Sequence, residues 1–314
     1  MSQQNLTEQG AVSQPAPVIQ RGSLDLTLRR LCRDKSSLLS GLFILLLILF
    51  AVAAPLTDQL TGHEVNQQFR ETGLGPAGNP AGPNSEFLLG ADQLGRDVLV
   101  RLAHGARVSL IVGVAASLSA ALIGVLVGLL AGYFGGRTDS VLSRVMDLVM
   151  SVPFLLCAIA LVSVFGPSLP LSISVIIFFS WTAMGRVIRG QVLSLRQRDY
   201  VEAARSMGAG HLSIMVREIV PNLAVPIIIY ATLMIPNAIV FEATLSFLGM
   251  GIVPPAASWG GMLSEAASNS IYLSAWWLVV FPGTILLLTT LAFNILGDGI
   301  RDALDPRARR RVRR

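Results

Sequence analysis

Six long apolar runs constrain this chain more than any other feature. They lie at Leu38–Leu56, Val108–Phe134, Leu148–Phe165, Leu171–Val187, Leu223–Leu248 and Ala275–Leu296. Each is long enough to cross about 30 Å of hydrocarbon. Only 14% of the 314 residues are charged and 53% are hydrophobic. With a mean hydropathy of +0.63, this excludes an ordinary soluble domain. The expected fold is an all-α polytopic membrane protein with six transmembrane helices. Gly166, Pro167 and Pro170 divide the third run from the fourth, which a coarse hydropathy window would merge. Residues 1–37 precede the first run without a small-residue cleavage site, so that run reads as a retained anchor, and residues 1–23 are expected to be disordered.

Orientation follows from Lys and Arg rather than from net charge. With the N-terminus inside, the cytoplasmic segments hold twenty of the 24 basic residues, including Arg137, Arg144, six between Arg186 and Arg217, and seven from Arg301 onward. Only Arg70, Arg96, Arg101 and Arg107 fall outside. Both termini and the Arg186–Asn222 interval are thus expected in the cytoplasm. A pI near 9.9 does not require nucleic acid, because topology and anionic lipid headgroups account for the basic tail, residues 307–314. Cys32 and Cys157 form no CxxC, and His63, His104 and His211 lack ligand spacing, so neither a disulfide framework nor a metal site is expected.

The polar interval between the fourth and fifth runs has structure of its own. Asp199 and Glu202 stand three apart, as in a capping box, and predict a short helix through Val201, Ala203, Ala204 and Met207. Gly208 suits the left-handed residue that ends it. A second short helix is expected from Leu212 to Val220, stopped by Pro221 before Asn222. Two short helices about a glycine hinge, held at a membrane surface, make a handle for another protein.

Within the apolar runs, Ala116, Ala120, Gly124, Gly128 and Gly132 recur at every fourth position and predict a face for close helix packing. Pro226 and Pro236 interrupt the fifth run and predict a kink there. Glu242, in the same run, must face protein or water. It is a candidate, with Pro236, for a translocation path or gate, or else for a hydrogen bond fixing the helix end near Ser246. Before the second run, Asp92, Gly95, Arg96 and Asp97 predict a turn leading into a short capped helix in which Asp97 pairs with Arg101, four residues on. Such an element serves structure or an external contact.

Four segments, taken in order, resemble the C-type inner-membrane permeases of dipeptide and oligopeptide ABC importers, a family that also includes nickel and glutathione importer subunits. They are Leu89 to Asp97 with Gly105 to Leu110; Glu202-Ala203-Ala204 with Gly208 and Pro221-Asn222; Leu245 to Gly249; and Leu291 to Pro306. The resemblance covers residues 38–306 and implies a type I importer permease fold in a bacterial inner membrane. It implies that residues 196–221 form a coupling loop seated in a cytosolic ATPase. It also implies a B-type permease as heterodimer partner, two ATPase subunits that bind ATP and Mg, and an external, periplasmic solute-binding protein. Where the family often has a histidine three residues before the proline, this chain has Glu218, which alters the charge of the second short helix.

No ATP hydrolysis is expected of the chain itself. Its one lysine, Lys35, is followed by Ser36, but Arg29 and Asp34 occupy the glycine positions a phosphate-binding loop requires. An integral-membrane enzyme would need convergent catalytic groups, and the sequence offers no HExxH or comparable motif. A passive channel would give no reason for a capped docking loop. Peptide is the first expectation for cargo, with nickel chelates and glutathione as alternatives.

Overall fold

The computed structural model describes residues 34–75, 78–253 and 255–304, which are mainly helical. Residues 1–23 and the basic tail lie outside them. Among the described residues the only strand-like pairings are isolated bridges, Leu74 with Pro80 and Ala91 with Asp97. Helix α1, Lys35–Val52, begins where the Asp34 carboxylate accepts from the amides of Ser36 and Ser37 at 3.3 and 3.0 Å. It gives way at Ala53 to a short α2, Ala54–Thr61, which ends at Gly62 with φ of +73°.

Helix α3, Val98–Phe134, is continuous over 37 residues and starts ten residues before the expected second span. Arg101, His104 and Arg107 lower hydropathy there, but no helix breaker lies between the Asp97 cap and Gly135. The expected third span, residues 148–165, is instead a bent pair. Helix α4, Gly136–Ser151, and helix α5, Phe154–Phe165, meet at 79°. Pro153 is the cause, because the residue before a proline is driven out of helical geometry and Val152 has ψ of 124°. Helix α6, Leu169–Leu195, opens on the Ser168 hydroxyl and runs eight residues past the expected end of the fourth span.

The small-residue face of α3 packs on α6, and here the expectation holds. Ala116 and Ala120 are fully buried. A Cβ added at Gly124, Gly128 or Gly132 would lie within 2.9 Å of the carbonyl of Trp181, Gly185 or Arg189 respectively. The contact order rises together along both helices, so α3 and α6 run parallel. The chain between them, α4 and α5, must therefore return across the bundle, which makes the bent pair one crossing and gives six among the described residues. Arg186 and Arg189, read from sequence as part of the polar interval, lie on α6 and form ion pairs with Asp147 and Asp139 of α4.

Helix α7, Asp199–Ser206, and the single turn α8, His211–Ser213, form the connection to the next span. A π-helical segment, Ile214–Ile219, then leads without a break into α9, Val220–Phe247. Pro221 thus does not stop the second short helix. The wider π turn accommodates the proline, whose missing N–H and bulky ring conflict with a regular α-helical turn. Pro226 and Pro236 likewise lie inside one uninterrupted helix. After two of these prolines an asparagine amide donates to the carbonyl four residues back, Asn222 to Glu218 at 2.7 Å and Asn237 to Leu233 at 3.0 Å.

Helix α10, Trp259–Ala267, and a 3₁₀ turn, Ser268–Leu273, precede the last helix, α11, Trp277–Leu304, which carries Pro282 internally. The Trp277 indole donates to the carbonyl of Ala91 at 3.0 Å, while Gly41 of α1 approaches Leu296 of α11. The starts of α3 and α11 therefore share one end of the bundle. The start of α1, the end of α11 and the α6–α9 connection share the other.

Candidate functional site

The connection between α6 and α9 is a folded unit. Val201, Ala204, Ile214, Met215 and Ile219 are buried and pack with Leu129 and Tyr133 of α3 and with Ile188 and Val192 of α6. At the end of α7 the amide of Gly208 donates to the carbonyl of Arg205 at 3.0 Å, and that of Ala209 to Ala204 at 3.1 Å. These two bonds make a Schellman motif, and Gly208 has the left-handed φ of +80° that it needs. The expected capping box is absent. Asp199 is the first helical residue, the cap position falls to Arg198, and no side chain caps the helix. Asp199 and Glu202 instead place negative charge in the first turn, where the helix dipole favours it.

The outer side of this unit is exposed and mixed in character. Glu202, Ala203, Gly208 and Pro221 are exposed and Glu218 is half-buried, whereas Ala204 is buried. Met207 and Leu212, on either side of the glycine turn, are 81% and 71% exposed. Behind them lies a cleft of about 460 Å³ lined by Tyr133, Phe134, Arg196, Gln197, Glu202, Arg205 and His211. The Tyr200 hydroxyl is buried without a hydrogen-bond partner among the described residues. Burial pushes this phenol above the ordinary tyrosine range, with Glu218 adding to the shift and Arg198 opposing it.

At the opposite end, the Asp92–Asp97 motif is buried. Asp92 Oδ1 accepts from the amides of Leu94 and Arg96 at 2.9 and 3.0 Å, and Gly95 turns the chain at φ of +74°. Asp97 caps α3 through the amide of Leu99 at 2.8 Å and meets His63 Nδ1 at 2.7 Å. It does not pair with Arg101, because its carboxylate is already engaged as the helix cap. Arg101 turns to Asp92 and to Glu265 of α10, and Arg96 Nη2 reaches the same Glu265 at 2.7 Å. Two buried arginines, the buried Asp92 and the half-buried Glu265 thus form a charge-balanced cluster clamping α10 to α3. Neither Glu265 as a member of this cluster nor His63 as the partner of Asp97 was legible, since nothing local marks partners so distant in sequence.

Glu242 is fully buried. Its carboxylate accepts from Ser109 of α3 at 3.1 Å and from Ser246 at 2.6 Å. Pro236 is also buried. The contact with Ser246 is a hydrogen bond at the end of α9 of the kind expected there.

Among solved structures, a chain in inward-facing conformations of the MetNI methionine ABC transporter matches with a TM-score of 0.51 at 15% identity, over 64% of this chain and 96% of that one. That likeness is one of fold. Together with the crossings and the folded loop among the described residues, it defines the class, a multi-pass helical membrane protein with the fold of that transporter chain. A profile described as "Binding-protein-dependent transport system inner membrane component" matches residues 124–310, and another, "N-terminal TM domain of oligopeptide transport permease C", matches residues 24–72. The chain belongs to the family of inner-membrane components of binding-protein-dependent transport systems. It is 44% identical over 281 residues to the oligopeptide transport system permease protein OppC of Salmonella typhimurium, covering 90% of each chain. It is 42% identical over 302 residues to the dipeptide transport system permease protein DppC of Escherichia coli K12, covering 96% of this chain and 98% of the other. These relatives are transport permeases.

Proposed function

We propose that this chain is one of two permease subunits of a peptide importer and that residues 196–221 are its docking loop for a cytosolic ATPase. The observation that carries the reading is the exposed pair Met207 and Leu212 about the Gly208 turn, held rigidly by a buried core shared with α3 and α6. Large apolar side chains so exposed on an otherwise packed, charged element suit a protein partner. Peptide as cargo rests on the relatives' names. The Arg- and Lys-rich distribution supports placing this loop and both chain termini in the cytoplasm. The remaining partners in this reading are a B-type permease, two ATPase subunits holding ATP and Mg, and an external solute-binding protein. Glu202, Ala203, Met207, Gly208 and Leu212 form the docking face, with Glu218 and Pro221 shaping the second helix behind it.

Co-purification tests it. Met207→Glu and Leu212→Glu are expected to release the ATPase subunits from the membrane complex. A β-branched residue in the left-handed region costs at least about 1–2 kcal/mol, so Gly208→Val is expected to depress both peptide uptake and transport-coupled ATP hydrolysis. Wild-type assembly and uptake in all three variants would sink the docking role.

A further inference from the structure

We infer that Tyr133, His211 and Arg196 form the joint through which movement of the docking loop reaches α3. The inference rests on the docking reading above, but concerns residues outside the docking face named there. Arg196, at the end of α6, donates from Nη1 to the carbonyls of Gly132 and Tyr133 at 3.1 and 3.3 Å. Those carbonyls belong to the last turn of α3, where intrahelical donors run out and the helix dipole favours a cation. From the other side of the loop, His211 Nδ1 meets the Tyr133 hydroxyl at 2.9 Å, with the two rings edge-on at 5.7 Å. Both the beginning of the loop and the start of its second helix therefore converge on one buried tyrosine at the tip of α3.

The surrounding geometry makes this contact mechanical rather than incidental. Glu202 and Arg205 of α7 line an open cleft together with Tyr133 and Phe134, while the buried side of α7, Val201 and Ala204, belongs to the same apolar core as Tyr133, so the directed polar contacts to the tip of α3 come from Arg196 and His211. Downstream, α3 has little freedom to absorb a displacement, since its small-residue face meets α6 main chain at Gly124, Gly128 and Gly132. A displacement delivered at Tyr133 is passed along the helix.

The test uses the complete complex in lipid nanodiscs, with ATP hydrolysis measured with and without the binding protein. This readout needs no knowledge of the cargo. Tyr133→Phe keeps the ring and removes the hydroxyl. It is expected to leave ATPase assembly and basal hydrolysis intact while stimulation by the binding protein falls roughly two- to tenfold, the range one hydrogen bond is worth. His211→Ala should lose stimulation similarly, and the double variant should lose no more than either single one. His211 is exposed, so its replacement does not threaten folding, and His211→Asn, which restores a hydrogen-bonding group, should recover stimulation. Full stimulation in Tyr133→Phe or His211→Ala, additive losses in the double variant, or no recovery in His211→Asn would each overturn the joint. Loss of ATPase co-purification in His211→Ala would assign His211 to docking and overturn it too. Failure of the docking reading is scored separately, by intact assembly in Met207→Glu and Leu212→Glu.

Discussion

Gly128→Ala is the sharpest test of how the bundle is held together. The added Cβ would lie 2.5 Å from the carbonyl oxygen of Gly185, 2.9 Å from Ile188 Cβ and 3.0 Å from the amide of Arg189. Two of these are main-chain atoms, so no rotamer change relieves the overlap and α3 must move away from α6. That movement also loosens the packing at Gly124 and Gly132, whose Cβ positions are equally tight against Trp181 and Val192. Overpacking of this kind costs about 1–3 kcal/mol, and the better helix propensity of alanine returns at most about 1 kcal/mol. A net loss of about 1–2 kcal/mol is expected. Gly190→Ala is the control, since a Cβ there meets nothing within 4 Å and only the propensity gain remains. The assay is the surviving monodisperse fraction of the purified complex after a series of heating steps. Equal thermal stability of the two variants would refute close main-chain contact as the basis of this interface.

Other substitutions probe the polar ends. Glu265→Ala strips an acceptor from both Arg96 and Arg101, leaving two buried guanidiniums to share Asp92, and should cost about 3 kcal/mol, read as lost thermal stability and yield. Asp97→Ala should cost about 1 kcal/mol for the cap alone and more for the stranded His63, whereas Asp97→Asn retains the cap acceptor. Tyr200→Phe removes a hydroxyl buried without a partner and should be neutral or stabilising by up to about 1 kcal/mol. The folded-state phenol titrates above its unfolded counterpart, so the unfolded chain ionises first. Stability should fall as pH rises past the ordinary tyrosine range, and a pH series of melting curves should show that loss removed in Tyr200→Phe.

What was legible in the sequence was what depends on nearest neighbours along the chain. The four-residue spacing of Ala116 to Gly132 marks a helix face whatever it packs on, and Gly208 marks a left-handed turn because few other residues tolerate one. The errors arose where a local signal met a competing one. Pro153 was hidden inside a hydropathic run and broke it, whereas Pro221 stood out as a breaker and was absorbed by a π turn. The Asp97–Arg101 pair had ideal helical spacing, but a carboxylate that caps a helix is not free to bond one turn further on. Glu265 could not be found at all, because its partners lie 164 and 169 residues away.

These long-range contacts give α3 its character. At 1.5 Å per residue its 37 residues span about 55 Å, well beyond about 30 Å of hydrocarbon. Both of its ends are fixed by polar groups brought from elsewhere in the chain. Asp97, His63, Arg101 and Glu265 hold the first end, and Arg196 and His211 hold the second. Between them the glycines remove the side chains that would keep α6 at a distance. A helix pinned at both ends and packed on main chain through its middle moves as a rod or not at all. Disturbing Glu265 should then damage folding, while disturbing His211 should leave a folded permease that no longer follows its loop.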